Sequence, residues 1–202
     1  DMREGIDFLR KNIDTARGIA ATAVHRGGLT ALTLTALLLE RNTFNDPAQP
    51  EDGLQGFGIA LTIAGVGVFL GAFLAPYGVA RFGRHRWIKF AMFASAAAPL
   101  ILATSQTEIA LSITAFLASF FGQNIKVTND ALVQSKIDDY YRGRVFAVYD
   151  VVVNGAIVSG GLIAALLLPT SGLTPNVPLV VSAAYFLVAV VVLRSAKFKA
   201  IY

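Results

Sequence analysis

The sequence predicts an all-α membrane protein of six transmembrane helices with both termini cytoplasmic. Three observations predict it. Of 202 residues, 55% are hydrophobic and 15% charged, and mean hydropathy is +0.61, whereas soluble domains carry about 25% charge. Six apolar stretches approach the roughly 20 residues that a helix needs to cross a bilayer. Lys and Arg gather at alternate ends of those stretches.

The first span, 17–39, is interrupted by His25 and Arg26. The second, 55–79, holds no Asp, Glu, Lys or Arg. The third covers 87–104 and the fourth 109–135, with Lys126 and Asp130 toward its end. The charge-free tract from Val151 to Leu193 is too long for one helix. The run Pro169-Thr-Ser-Gly-Leu-Thr-Pro175-Asn-Val-Pro178 divides it, because Pro and Gly punctuate helices. That division gives spans at 144–168 and 178–193. The Val-rich runs 151–153 and 188–192 also suit strands, but a soluble fold needs polar faces and these segments have almost none.

The predicted cytoplasmic side collects Arg3, Arg10, Lys11 and Arg17 before the first span, then Arg81, Arg84, Arg86 and Lys89. It also collects Lys136, Arg142 and Arg144, and Arg194, Lys197 and Lys199 in the tail. The opposite side has Arg41, in a loop with Asp46, Glu51 and Asp52. No basic-then-apolar leader opens the chain, and its first residue is Asp rather than Met, which suggests a longer parent. The expected division is a cytoplasmic linker end at 1–16, a membrane unit at 17–194 and a cytoplasmic tail at 195–202.

Several chemistries are excluded. There is no Cys, hence no disulfide, thiol nucleophile or Cys-ligated metal. His25 and His85 are the only histidines, so no multi-histidine metal site forms. No catalytic dyad or phosphate-cradling loop occurs, and neither an enzyme activity, a cofactor nor a nucleic-acid partner is expected. Gly155-x-x-x-Ser159-Gly-Gly superficially looks like an intramembrane-protease serine motif, but the partner His and its spacing are missing.

Between the second and third spans, Arg81, Gly83, Arg84 and Arg86 resemble the short cytoplasmic loop motif of the major facilitator superfamily, Asp-Arg-x-Gly-Arg-(Arg/Lys). Ala80 stands where the motif has Asp. Before the fifth span, Arg142-Gly143-Arg144 looks like the loop between the tenth and eleventh helices of drug- and siderophore-exporter-like members. The resemblance implies helices seven to twelve, the C-terminal half of a twelve-helix transporter. It implies substrate binding at the midplane between two related halves. The first and fourth helices of the half would line the cavity, and the second and fifth would meet the other half. The implied function is secondary transport of a small molecule by proton-coupled efflux across the plasma membrane. The implied partners are an N-terminal six-helix half, in the same or a separate chain, the bilayer, a small-molecule substrate and protons. The alternative is a non-transporting six-helix remnant or a partner subunit.

Site candidates follow from helical spacing. Thr22, Arg26, Thr30 and Thr33 share one face of the first span, with His25 beside it. A charge near the centre of a span costs about 2.5–3.5 kcal/mol on insertion scales, so Arg26 requires water, substrate or backbone carbonyls. His25 is a candidate for proton coupling. In the fourth span Phe116, Phe120 and Asn124 form an aromatic-to-amide face suited to a partly apolar ligand. Lys126 and Asp130 are spaced to pair along the helix. Matching depths along a hairpin of spans four and five predict an ion pair between Lys126 and Asp150, shared with Asp130, as a latch or gate. The glycines at 58, 65, 67 and 71, and Gly155, Ser159, Gly160 and Gly161, suit close approach of helices, either to another half or within this one.

Overall fold

The structure is a computed structural model that describes residues 2–137 and 139–193. Those residues form seven α-helices: α1 (Met2–Lys11), α2 (Ile13–Leu39), α3 (Pro50–Phe82), α4 (Arg84–Thr104), α5 (Glu108–Lys136), α6 (Asp139–Leu167) and α7 (Asn176–Leu187). Both α2 and α7 run on into a wide π-type turn, Glu40–Phe44 and Val188–Val192. Helices α3, α4, α5 and α6 are each long and apolar enough to cross a membrane. Helix α2 has the length, at 27 residues, but carries Asp14, Arg17, His25 and Arg26. The last apolar stretch, Asn176–Val192, is shorter.

Local chemistry sets the boundaries. Pro50 opens α3, where its missing N–H costs nothing. Gly83, at φ 78°, separates α3 from α4 in a conformation that side chains disfavour. Thr107 caps α5 by accepting from the Ala110 N–H at 3.3 Å. The connectors 40–49, 105–107 and 168–175 lie at one end of the bundle, here the upper end. The Gly83 corner and the α5–α6 turn lie at the lower end.

Within the predicted linker lies a helix. Leu9 of α1 is buried in a lower cluster with Ile19, Val133, Ile137, Val145 and Val148. The Phe8 and Tyr141 rings stack 5.6 Å apart, and Glu4 pairs with Arg144 at 3.0 Å. The expected tail, 195–202, lies outside the described residues, as do Arg194 and the side chain of Lys136.

Helix α3 packs on α5, α2 on α6, and α4 on α5 and α7. Glycine enables the first two pairings. A Cβ at Gly67 or Gly71 would stand 2.5 or 2.4 Å from the carbonyl oxygens of Phe116 and Phe120. One at Gly160 would stand 2.0 Å from the Gly27 carbonyl oxygen. The Gly67–Gly71 pair therefore serves packing inside this unit, which settles between the two readings of that motif. Gly58, Gly65 and Gly155 meet nothing within 4 Å. Only 17% of the most apolar window of α3 and 6% of that of α6 is buried, against 44% in α4 and in α5. Phe69, Phe73 and Tyr77 of α3, and Val158, Leu162 and Leu166 of α6, are exposed.

Candidate functional site

Two of the polar or hollow regions in the bundle bear on the predicted site residues. The first is an upper cleft of about 150 Å³ between α2 and α3, floored by α5 and closed behind by Leu102 of α4. Leu29, Leu32, Thr33 and Ala36 of α2 face Phe57, Ala60, Leu61 and Ala64 of α3 across it. Thr33 donates to the Leu29 carbonyl at 2.8 Å, and Thr114 on the floor donates to the Ala98 carbonyl at 3.0 Å. With those protons already used, the cleft presents a mainly apolar wall, suited to a compact hydrophobic group.

Of the predicted cavity residues, Thr33 lines this cleft. Arg26 precedes Leu29 and Thr33 by three and seven residues, so it shares their face, about 10 Å further down the helix. It is half-buried, and among the described residues no carboxylate lies within 4 Å of it. Thr30 donates to the Arg26 carbonyl at 3.0 Å and turns toward Gly161 of α6.

His25 is placed elsewhere. It is 1% exposed and stacks on Tyr185 of α7, with centroids 4.7 Å apart and planes 13° from parallel. Tyr185 donates to the His25 carbonyl at 2.8 Å. Gly122 leaves room for the ring, since a Cβ there would lie 2.1 Å from Cε1. Nε2 has no partner. This His faces the interior between α2, α5 and α7, not the cleft.

The aromatic-to-amide face of α5 also turns toward neighbours. Asn124, fully buried, donates to the Phe120 carbonyl at 2.9 Å and accepts from Trp87 Nε1 of α4 at 3.3 Å. Phe116 and Phe120 stack on each other at 6.1 Å, and their backbone carbonyls receive Gly67 and Gly71. None of the three lines the cleft.

The second region is a lower polar seam joining α2, α5 and α6. Asn129, 0% exposed, donates to Thr22 Oγ1 at 3.2 Å, and Thr22 donates to the Gly18 carbonyl at 3.2 Å. Tyr149 donates to Asp130 Oδ1 at 2.9 Å. The other carboxylate oxygen of Asp130 is paired with Lys126. Among the described residues Asn129 Oδ1 has no hydrogen-bond partner. Gly18 makes the close approach possible, because a Cβ there would fall 2.1 Å from that oxygen.

Here one expectation is corrected. Lys126 pairs with Asp130 in its own helix, and no Lys126–Asp150 ion pair forms. Asp150 is exposed, and its carbonyl accepts from Asn154 at 2.8 Å. The residue that reaches across from α6 is Tyr149. Depth along the hairpin does not settle which side chain faces α5, because consecutive helical residues point about 100° apart. Asn129, Tyr149, Trp87 and Tyr185 were missed as well. Their only signal is a polar or amphipathic side chain inside a long apolar run, which a search for charges overlooks.

The loop motif adopts specific contacts. Arg84 donates to Ser135 at the end of α5 at 2.6 Å, and Arg81 lies over the Phe82 ring at 5.8 Å. Arg86 is exposed. Arg142 donates to the Ile137 carbonyl at 3.4 Å, Gly143 stands in open space, and Arg144 lies 4.4 Å over Tyr140. These contacts brace the lower corners.

Comparison with known proteins fits an unbroken helical bundle of this kind. A family model described as Major Facilitator Superfamily matches residues 19–199. Two curated proteins, uncharacterized MFS-type transporters of Mycobacterium bovis and Mycobacterium tuberculosis, are each 31% identical over 170 residues. The match covers 84% of this chain and 38% of each relative, so the chain spans well under half of their length. A crystal structure of an auto-inhibited POT family peptide transporter aligns with TM-score 0.65 at 18% identity, over 86% of this chain and 36% of that one. That likeness concerns the fold. The apolar helices and the family match over 19–199 agree: this is an integral membrane protein, and the chain belongs to the Major Facilitator Superfamily.

Proposed function

We propose that the chain is the C-terminal six-helix half of a plasma-membrane permease that carries a small amphipathic molecule by proton-coupled efflux. In this reading 1–16 ends a cytoplasmic linker, 17–194 is the membrane half and 195–202 is a cytoplasmic tail. The lower end, with its Arg-rich corners, faces the cytoplasm, as the distribution of Lys and Arg favours. The missing N-terminal half would cover the bare apolar faces of α3 and α6 at Gly58, Gly65 and Gly155.

The observation that carries the transport reading is the upper cleft. A mainly apolar hollow of about 150 Å³ inside a membrane unit is lined by Thr33, on the helix that also bears Arg26. An apolar group of the substrate would enter the cleft, and Arg26 below it would meet a polar or anionic group. In this reading His25, Phe116, Phe120 and Asn124 support the helices rather than touch substrate. The Lys126–Asp130 pair, held by Tyr149, keeps α5 and α6 together at the cytoplasmic end, where the two halves would open. Asp150 is exposed and available to the other half.

The test uses the full-length protein in everted membrane vesicles, with extrusion of a lipophilic fluorescent dye followed under an imposed pH gradient. Thr33→Trp should fill the cleft and abolish transport while the protein still elutes as a folded species. Arg26→Ala should depress transport of an anionic dye more than of a neutral one. Undiminished transport by Thr33→Trp would remove the cleft from the substrate path.

A further inference from the structure

Directly above the cleft lies a second hollow of about 290 Å³, polar in character. The linings share Ala60, so the two hollows adjoin. Its lining includes Glu40, 5% exposed, although carboxylates are rarely so buried. Glu40 is the first residue of the wide turn that ends α2. Its Oε2 accepts from Asn45 Nδ2 at 3.2 Å, and the same Nδ2 donates to the Glu40 carbonyl at 2.9 Å. Across from it α3 presents Gly56, where a Cβ would stand 2.3 Å from Oε2. One turn earlier, a Cβ at Gly53 would stand 3.0 Å from the Glu40 carbonyl oxygen and 2.7 Å from Arg41 Cα. The carboxyl thus occupies a seat that two glycines of α3 leave free.

The charges facing this seat are of one sign. Asp52 comes from α3 and Glu108 from α5, alongside neutral Gln55 and Ser112. Among the described residues no Lys or Arg lines the hollow. Arg41, next in sequence, is exposed, and so is Asp46 of the connector. Among the described residues no counter-charge lines the seat, so the seated form of Glu40 favours the proton.

We propose that Glu40 is a proton-operated latch beside the cleft, seated against Asn45 and Gly56 when neutral and expelled from the seat when ionised. Expulsion frees the α2–α3 corner and opens the way to the cleft. Burial first, and then the nearby Glu108, push its carboxyl above the ordinary carboxylate value, while the Asn45 bond opposes them. The linkage has one sign: a seat that holds the proton more tightly than the released form gains population as pH falls. It loses population as pH rises through the elevated value. The latch rests on the transport reading only for the name of what lies beneath it, because its test requires no substrate.

This chain has no Cys, so introduced thiols report accessibility. Ser112→Cys, placed in the lining of the hollow, is labelled with a membrane-impermeant maleimide in the full-length protein at pH 5 to 8. Rates are normalised at each pH to Ala48→Cys in the exposed connector, which removes the thiol's own titration. The protein without either introduced Cys gives the background. The normalised rate should rise several-fold with pH. Glu40→Gln, which keeps the shape and cannot ionise, should hold the rate low throughout, and Glu40→Ala should hold it high throughout. A pH-independent rate with native Glu40, or an unchanged pH response in Glu40→Gln, overturns the latch. A high rate at every pH in Glu40→Gln also overturns it, because a neutral side chain would then have failed to keep the seat.

Discussion

The lower and upper ends of this bundle are built on opposite plans. At the lower end, α2, α5 and α6 are stitched by Thr22, Asn129, Tyr149 and Asp130, with Gly18 pressed onto Asn129. At the upper end, α2 and α3 part around a cleft whose hydroxyls bond their own helix or the one behind. The lower end joins α2 to α5 and α5 to α6 through side chains, whereas among the described residues no side-chain hydrogen bond joins α2 to α3 across the cleft. Inter-helix hydrogen bonds fix a spacing, whereas hydroxyls bonded to carbonyls of their own helix leave the gap beside them adjustable. The difference teaches where relative movement of helices is cheap: above Arg26, not below it.

The contrast is broken most severely by removing the room for Asn129. Gly18→Ala should displace that buried amide and cost about 3 kcal/mol, combining overpacking with a lost hydrogen bond. Thermal unfolding in detergent would report it. A neutral outcome would mean that the lower seam is loose. Next comes Tyr149→Phe, which leaves Asp130 with Lys126 alone. Losing a hydrogen bond to a charged acceptor should cost about 2 kcal/mol, read as a lower midpoint in the same assay. The equivalent change above, Thr33→Val, removes a hydroxyl bonded within its own helix. It should alter stability by less than about 0.5 kcal/mol, and a cost like that of Tyr149→Phe would erase the distinction between the ends.

Glu40 sharpens the comparison by pH rather than by size. Below the ordinary value of 4.5, folded and unfolded forms both hold the proton, and wild type and Glu40→Gln should unfold alike. As pH rises above 4.5, the unfolded chain ionises first. Wild type should then lose stability relative to Glu40→Gln until the folded carboxyl has ionised too. A difference that grows in the opposite direction would show a seat that prefers the ionised form.

Much of the fold was legible because hydropathy and helix punctuation are local. The span expected at 87–104 and the helix Arg84–Thr104 end at the same residue, and the Pro169–Pro178 run does separate α6 from α7. The interior was less legible because a helical period gives a face without naming what covers it. The stripe Thr22–Arg26–Thr30–Thr33 is one face by spacing, yet Thr22 meets α5, Thr30 turns to α6 and Thr33 borders the cleft by α3. A long helix crosses several neighbours, so one stripe has several fates. Gly67 and Gly71 were read as suited to close contact, and which helix they contact depends on α5, more than forty residues later. Tyr149 and Asp150 differ by one position in sequence, and only three-dimensional packing decides which of them faces Asp130.

The partnership of His25 with Tyr185 has a consequence for biosynthesis. Tyr185 closes over the His25 carbonyl from 160 residues further along the chain. At a synthesis rate of about 5–20 residues per second, some 8 to 32 seconds separate the two. During that interval α2, which carries His25 and Arg26 in its middle, has left the ribosome without the helix that shields it. A segment bearing such groups is held poorly by lipid alone. The hold of lipid on α2 is therefore weakest before α7 is made, and the contact with Tyr185 is among the last that secure it.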